Sequence, residues 1–330
     1  MKKILALTLL SLLVFVPAAM AELQWGANVE TNTTFENFTN GTTTNNYDNG
    51  GRVEISVSAE KKNDAGTFMS GKGCFEAQVN GGMGACDAWV AVGTPSVTLK
   101  VGSWEAEDMW NPGQDVYVIT TGASDWFKIN KVRGRSPDGM GVIFTSGSVV
   151  FDVKAGFDNE GPAGTENQLG IRPVVKFTAG AITLKVGGEF VTQKPKDTDS
   201  DAKNDWMGGG ANVTMTAGTL TFGAVAAYGQ NKVTTVDAIT GVKTDADENV
   251  MSGDGYVNLA MGSSTLGLGV GYTTQDEADT KEMYGFVSYA MPLPVEGAFV
   301  KFAGSFASGT NAADEDLKAF GARVRFNYTF

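Results

Sequence analysis

The feature that most limits how this chain can fold is a two-residue alternation of polar and apolar side chains running from one end to the other. Glu22-Leu23-Gln24-Trp25-Gly26-Ala27-Asn28-Val29-Glu30 alternates without error, and so does Arg52-Val53-Glu54-Ile55-Ser56-Val57-Ser58. Thr98-Leu99-Lys100-Val101 and Thr183-Leu184-Lys185-Val186 continue the pattern, and the run from Phe320 to Phe330 ends the chain the same way. Period two marks strands with one apolar and one polar face, whereas the i, i+3, i+4 spacing of an amphipathic helix is hard to find anywhere. Leu23, Val53, Leu99, Phe151, Leu184, Phe222, Leu268, Phe302 and Phe326 fall on one face. Arg52, Glu54, Lys72, Glu76, Lys100, Asp152, Lys154, Arg172, Lys176, Lys185, Glu189, Lys301, Arg323 and Arg325 fall on the other.

The connections alternate as well. Tight turns stand at 63–66, 94–96, 146–147, 179–180, 217–218 and 262–264, with a slightly longer one at 292–294. Between them lie longer polar segments at 32–50, 104–139, 158–168, 192–207, 229–255, 274–282 and 308–316; only the short one near 80–85 breaks that class. Counting the runs between connections predicts sixteen strands, an even number that returns both termini to one side, as closure of a barrel requires. A sandwich also exposes charges on its outer face, but it would not sort its loops by length. A sixteen-stranded barrel leaves an aqueous interior that charged residues can line, which suits a mean hydropathy of only −0.09.

The first residues read as an export leader. Met1-Lys2-Lys3 precedes an apolar run from Ile4 to Val16, followed by small residues at Ala19 and Ala21, so 1–21 is expected to be removed. That run is shorter than the ~20 residues that span a bilayer, and no later stretch approaches ~18, so any membrane crossing falls to strands. The chain has no His, which excludes Ser-His-Asp and Cys-His catalysis and His-ligated zinc. Its 2 Cys cannot complete a zinc site or an iron–sulfur cluster, and no cofactor is expected. A formal net charge of −12 argues against nucleic acid as a partner.

The chain closes on Phe326-Asn327-Tyr328-Thr329-Phe330. With the leader, the sixteen strands, the sorted loops and one long segment after strand five, it resembles the Gram-negative general diffusion porins over the whole of 22–330. The resemblance implies an all-β fold, a 16-stranded antiparallel transmembrane barrel in the outer membrane. It also implies passive diffusion of ions and small hydrophilic solutes, no enzymatic activity and a homotrimer. Outer-membrane lipid and lipopolysaccharide would surround it, and the assembly machinery would read the strand ending in Phe330. In that family the third external loop folds into the barrel, and here its place is taken by 104–139. The family's Pro-Glu-Phe-Gly-Gly-Asp-type motif is missing, its nearest counterpart being Asn111-Pro112-Gly113-Gln114-Asp115. The second loop, which latches onto a neighbouring subunit in the family, shrinks to Asn80–Ala85. Sugar-selective porins share this layout, and the aromatic residues Trp104, Trp110, Tyr117, Trp126 and Phe127 keep that alternative open. A secreted β-rich surface adhesin is a more distant one.

A pore constriction is expected between acids on the long loop (Glu105, Glu107, Asp108, Asp115 and Asp125) and bases on the wall (Arg52, Lys100, Lys154, Arg172 and Lys176). Opposite charges across a narrow lumen set up a transverse field that orients polar solutes. Arg133 and Arg135 flank the return to the wall, where they face either the lumen or the loop carboxylates. Asp197-Thr198-Asp199-Ser200-Asp201 starts like a calcium loop but has Ala202 and Gly208 where such a loop needs Gly and Glu, so it reads as a solvated acidic segment. Cys74 and Cys86 lie on neighbouring strands, and in an oxidising compartment they are expected to form a disulfide rather than two free thiols.

Overall fold

The structure, a computed structural model, describes residues 22–40, 42–110, 118–122, 130–134, 138–158, 166–195, 202–236, 240 and 242–330. The expected leader, 1–21, lies outside them. Sixteen strands follow in order: β1 (Glu22–Asn40), β2 (Thr42–Lys62), β3 (Phe68–Gln78), β4 (Met83–Gly93), β5 (Val97–Ser103), β6 (Asp138–Ser146), β7 (Val149–Asp158) and β8 (Glu166–Ala179). The second half comprises β9 (Ile182–Pro195), β10 (Lys203–Ala217), β11 (Leu220–Val236), β12 (Lys243–Met261), β13 (Ser264–Gln275), β14 (Thr280–Pro292), β15 (Ala298–Thr310) and β16 (Asp316–Thr329). Each pairs antiparallel with its neighbours in sequence, and β1 meets β16 from Asn28↔Thr329 to Thr39↔Lys318, so the sheet is a closed barrel.

Closure gives every strand a partner on both sides, which lipid demands of a spanning sheet. The two faces of the wall are inverted relative to a water-soluble protein. Apolar side chains such as Leu99 (40 % exposed), Phe177 (43 %) and Phe302 (44 %) are open to the surroundings, whereas Lys154 and Arg172 are 0 % and 1 % exposed. Alternation places both of the latter inward, and an apolar belt around a closed barrel is an outer surface built for hydrocarbon. The tight turns on one side owe their geometry to glycine. Gly147, Gly180, Gly218 and Gly262 have φ of 56–63°, left-handed values that cost other residues energy and that match the twist of paired strands.

Two polar segments differ from the sequence expectation. Most of 32–50 and of 229–255 is strand, because β1, β2, β11 and β12 continue far beyond a bilayer's thickness. Threonine favours strands, and polar side chains pair across these hairpins: Thr33 Oγ1 donates to Asn49 Oδ1 at 2.9 Å, Asn37 Nδ2 to Asn45 Oδ1 at 2.7 Å and Thr234 Oγ1 to Asp245 Oδ1 at 2.8 Å. Polarity marks where lipid ends, not where pairing ends.

Cys74 and Cys86 are joined in a disulfide with Cα atoms 5.1 Å apart. The bridge ties β3 to β4 where their register slips between Gly73 and Phe75, and this bulge turns Trp89 and Ala91 toward the interior. Denatured, unreduced protein should therefore take up no thiol-alkylating reagent, and reduction should expose two reactive groups. Mass spectrometry of the alkylated chain checks this directly.

Candidate functional site between β5 and β6

β5 leaves the wall at Gly102, whose φ of 124° and contact with the Ala88 carbonyl oxygen exclude a side chain. Trp104 comes next and is almost fully buried. Its ring lies over Gly141 of β6, where a Cβ would come within 2.9 Å of it. Lys154 Nζ stands 4.8 Å from the Trp104 ring centre and Lys100 Nζ 5.2 Å, with Lys100 also 3.8 Å from the ring of Trp89. Lys154 donates to the Trp104 carbonyl at 2.8 Å and to the carbonyls of Arg133 and Gly134, so one buried ammonium holds both ends of the segment. A charge this deep is tolerable because its donors are occupied.

Residues 105–110 lie against inward-facing side chains of β7, β8 and β9. Arg172 donates to the Glu107 carbonyl at 2.6 Å and Lys185 to the Asp108 carbonyl at 2.7 Å, while Asp152 accepts the Glu107 N–H at 3.1 Å. The Glu107 carboxylate is 2.7 Å from Lys185 Nζ and 3.5 Å from Lys176 Nζ. Arg133 lies 3.1 Å from Glu105 and 3.3 Å from Asp108. On the return, Glu189 accepts the N–H groups of Lys131 and Val132 at 3.2 and 3.3 Å. Burial opposes ionisation of Glu107, but its hydrogen bonds and charge pairing with Lys185 and Lys176 outweigh this and bring its carboxyl below the ordinary glutamate range.

The same segment also reaches β12, β14 and β15. Trp110 Nε1 donates to Asp254 at 3.0 Å, and Asp254 accepts the Tyr284 hydroxyl as well. Ile119 N–H donates to Ser305 Oγ at 2.8 Å, and Thr121 donates to Glu282 from its N–H at 3.2 Å and its hydroxyl at 2.7 Å. Two apolar clusters accompany these bonds. Met109 and Val132 pack with Val174, Val191 and Trp206, and Ile119 packs with Tyr256, Tyr284 and Phe286.

Of the site residues expected from sequence, Glu105, Glu107, Asp108, Lys154, Arg172 and Lys176 come together here. Lys154 and Arg172 bind the segment's backbone carbonyls. Lys100 belongs to the tryptophan stack. Arg52 stands apart, 3.3 Å from Glu76 and 3.6 Å from Glu54 on the β2–β3 wall. Asp115 and Asp125 lie outside the described residues, as do Tyr117, Trp126, Phe127, Arg135 and the acidic run 197–201. Sequence reasoning placed Lys185 and Glu189 on the polar face without a role and did not single out Asp254, Glu282 or Ser305. Lys185, Glu189 and Ser305 carry the signal of an inward position in the alternation, whereas Asp254 and Glu282 fall in the polar segments 229–255 and 274–282, outside the expected strands.

No protein-family model matches the chain, and no curated protein matches its sequence. Solved structures do match. The outer membrane channel DcaP of Acinetobacter baumannii superposes with a TM-score of 0.69 at 11 % identity, covering 96 % of this chain and 99 % of that one. The anion-selective porin from Comamonas acidovorans gives 0.67 at 13 % identity over 94 % and 100 %. The trimer form of OmpT, an outer membrane protein of Vibrio cholerae, gives 0.67 at 17 % identity over the same shares, 94 % and 100 %. At such identities the likeness establishes the fold, and this chain has the sixteen-stranded barrel of Gram-negative outer-membrane porins.

Two outcomes follow from the anchoring. Replacing Asp254 and Glu282 together by Ala removes the carboxylates that hold Trp110 and Thr121 to β12 and β14, and open-channel noise in planar-bilayer recordings should rise. The Glu107–Lys185 pair should hold from neutral pH through the ordinary glutamate pKa of about 4.3, and fail only as pH falls through the lower native value. Acid-induced noise should therefore begin below about pH 4.3 in the wild type, and at higher pH in Lys185→Met.

Proposed function

We propose that the protein is an outer-membrane porin, through which ions and small hydrophilic solutes diffuse passively, and that 104–139 crosses its interior as a constriction. One observation carries this reading: a single connecting segment bonds to inward-facing groups on β7–β9 and also on β12, β14 and β15. A connection lying outside the barrel could not touch both sets. The reading places no chemistry in the channel, in keeping with the absence of His. The trimer form of OmpT, an outer membrane protein that shares this fold, supports a homotrimer here, surrounded by lipid and lipopolysaccharide. Deleting most of 106–130 should raise single-channel conductance severalfold while the folded barrel keeps its faster migration on unheated SDS gels. Unchanged conductance in a folded deletion variant would count against the constriction.

Of the alternatives, a sugar-selective channel draws no support from the described loop aromatics. Trp104 is buried, and Trp110 spends its N–H on Asp254, so both pin the segment to the wall. A secreted adhesin would leave the apolar belt in water.

Ion preference follows from which charges are spent. The described loop acids each stand beside a base, so their net field in the lumen is small. The mouth is different, since Asp276, Glu277, Asp314, Glu315 and Asp316 are exposed at the ends of β13–β16. Their attraction for cations reaches about a Debye length, ~8 Å at physiological salt. Weak cation selectivity that grows as ionic strength falls is expected from reversal potentials in KCl gradients; anion preference at low salt would contradict it.

A further inference from the structure

The β1–β2 hairpin rises above the wall beside it. β1 is covered by β16 as far as Thr39↔Lys318. β2 pairs with β1 along its length, but with β3 only from Arg52↔Gln78, plus one bond from Val79 N–H to Gly51 O at 2.9 Å. Among the described residues nothing pairs with Thr42–Gly50 on the side away from β1. These residues form an open sheet edge roughly 30 Å long at ~3.3 Å per residue.

The direction of the unused groups is fixed by two sets of bonds. Gly51 O points to the β3 side. Ala27 and Phe330 exchange N–H···O bonds at 2.8 and 3.1 Å, which turns the odd-numbered residues of β1, and hence their partners on β2, away from the β1–β2 seam. Thr43, Asn45, Tyr47 and Asn49 therefore direct their N–H and C=O groups outward.

Exposed edges are normally guarded by charge, proline or twist. A second open edge shows that guard. β12 pairs with β13 only from Val250, and its stretch before that carries Lys243, Asp245, Asp247 and Glu248. The β2 edge, Thr42-Thr43-Thr44-Asn45-Asn46-Tyr47-Asp48-Asn49-Gly50, has one charge, no proline and strand-favouring threonines.

We infer that Thr42–Gly50 receives an extended cationic polypeptide of a partner outside the cell, which adds to the sheet as a strand. The outward orientation rests on the porin reading; the edge itself does not. Charge selects the partner's sign. From Thr31 to Gly50 the chain holds Glu36 and Asp48 and no Lys or Arg, and exposed Asp314, Glu315 and Asp316 outnumber Lys318 at the neighbouring β15–β16 turn. Tyr47, 76 % exposed with its ring 5.0 Å from Phe35, offers an apolar rest for alternate side chains of the added strand.

The test is calorimetric titration of the folded protein in zwitterionic nanodiscs with a synthetic nonapeptide of alternating lysine and valine. Binding should fall at least tenfold when alternate residues of the peptide are N-methylated, since backbone donors are then lost while charge is kept. It should fall similarly in Asn45→Pro, which removes an outward N–H at an edge that tolerates proline. A glutamate–valine peptide should bind worse than the lysine one. No binding of the lysine peptide, or equal binding of its methylated form, overturns the inference. The methylated peptide decides this even if Asn45→Pro misfolds. Porin conductance is a separate readout, so loss of the channel reading would not mimic either result.

Discussion

A sheet that must live in hydrocarbon can leave no backbone donor or acceptor open to lipid. Each unsatisfied group costs several kcal/mol there, so the sheet has to close on itself. The rest of this structure follows from that requirement. Closure defines an inside and an outside, and period-two alternation then sends every second side chain into water and every other one into lipid. The charged residues that a soluble protein would display outward, such as Lys154, Arg172 and Glu189, have only the interior to go to.

That crowding of charge on the inward face supplies partners for the described parts of the β5–β6 connection. A backbone segment without regular structure brings carbonyls and amides that need partners. Lys154, Arg172 and Lys185 supply donors to the carbonyls of Trp104, Glu107 and Asp108, and Glu189 and Glu282 supply acceptors to the N–H groups of Lys131, Val132 and Thr121. The wall charges serve the segment's backbone at least as much as the water. This alters the meaning of an acid–base constellation read from sequence, because an arginine that donates to a carbonyl positions the segment as well as setting a field.

The barrel was legible because its cause is local. Alternation around Val53 or Leu184 states which face a residue takes, tight turns with glycine state where the chain reverses, and the strand count follows. The site was legible only in part, because its cause is not local. Nothing near Asp254 or Glu282 says that a segment more than a hundred residues earlier will offer them an N–H. Arg52 had the same chemistry and the same inward position as Arg172, yet it pairs with Glu76, because β2 lies on a part of the wall away from the described segment. Strand length was obscured for a different reason: threonine and asparagine look like loop residues when polarity is taken as the sign of an ending, although they pair well in water.

One trace of the inner segment is written in the sequence, in residue size more than in charge. Gly141, Gly170 and Gly187 all face inward. A Cβ at Gly141 would press on Trp104, one at Gly170 would collide with Val132, and one at Gly187 would come within 3.3 Å of Met109 Sδ. Each lies under a buried residue of the β5–β6 connection. Gly269 plays a related part for Phe286, whose ring lies flat on it beside Ile119. Glycine weakens a strand when nothing covers it. Here three inward glycines on β6, β8 and β9 each fall beneath a buried residue of one connection, and their lack of a side chain leaves room for Trp104, Val132 and Met109 to lie against the wall.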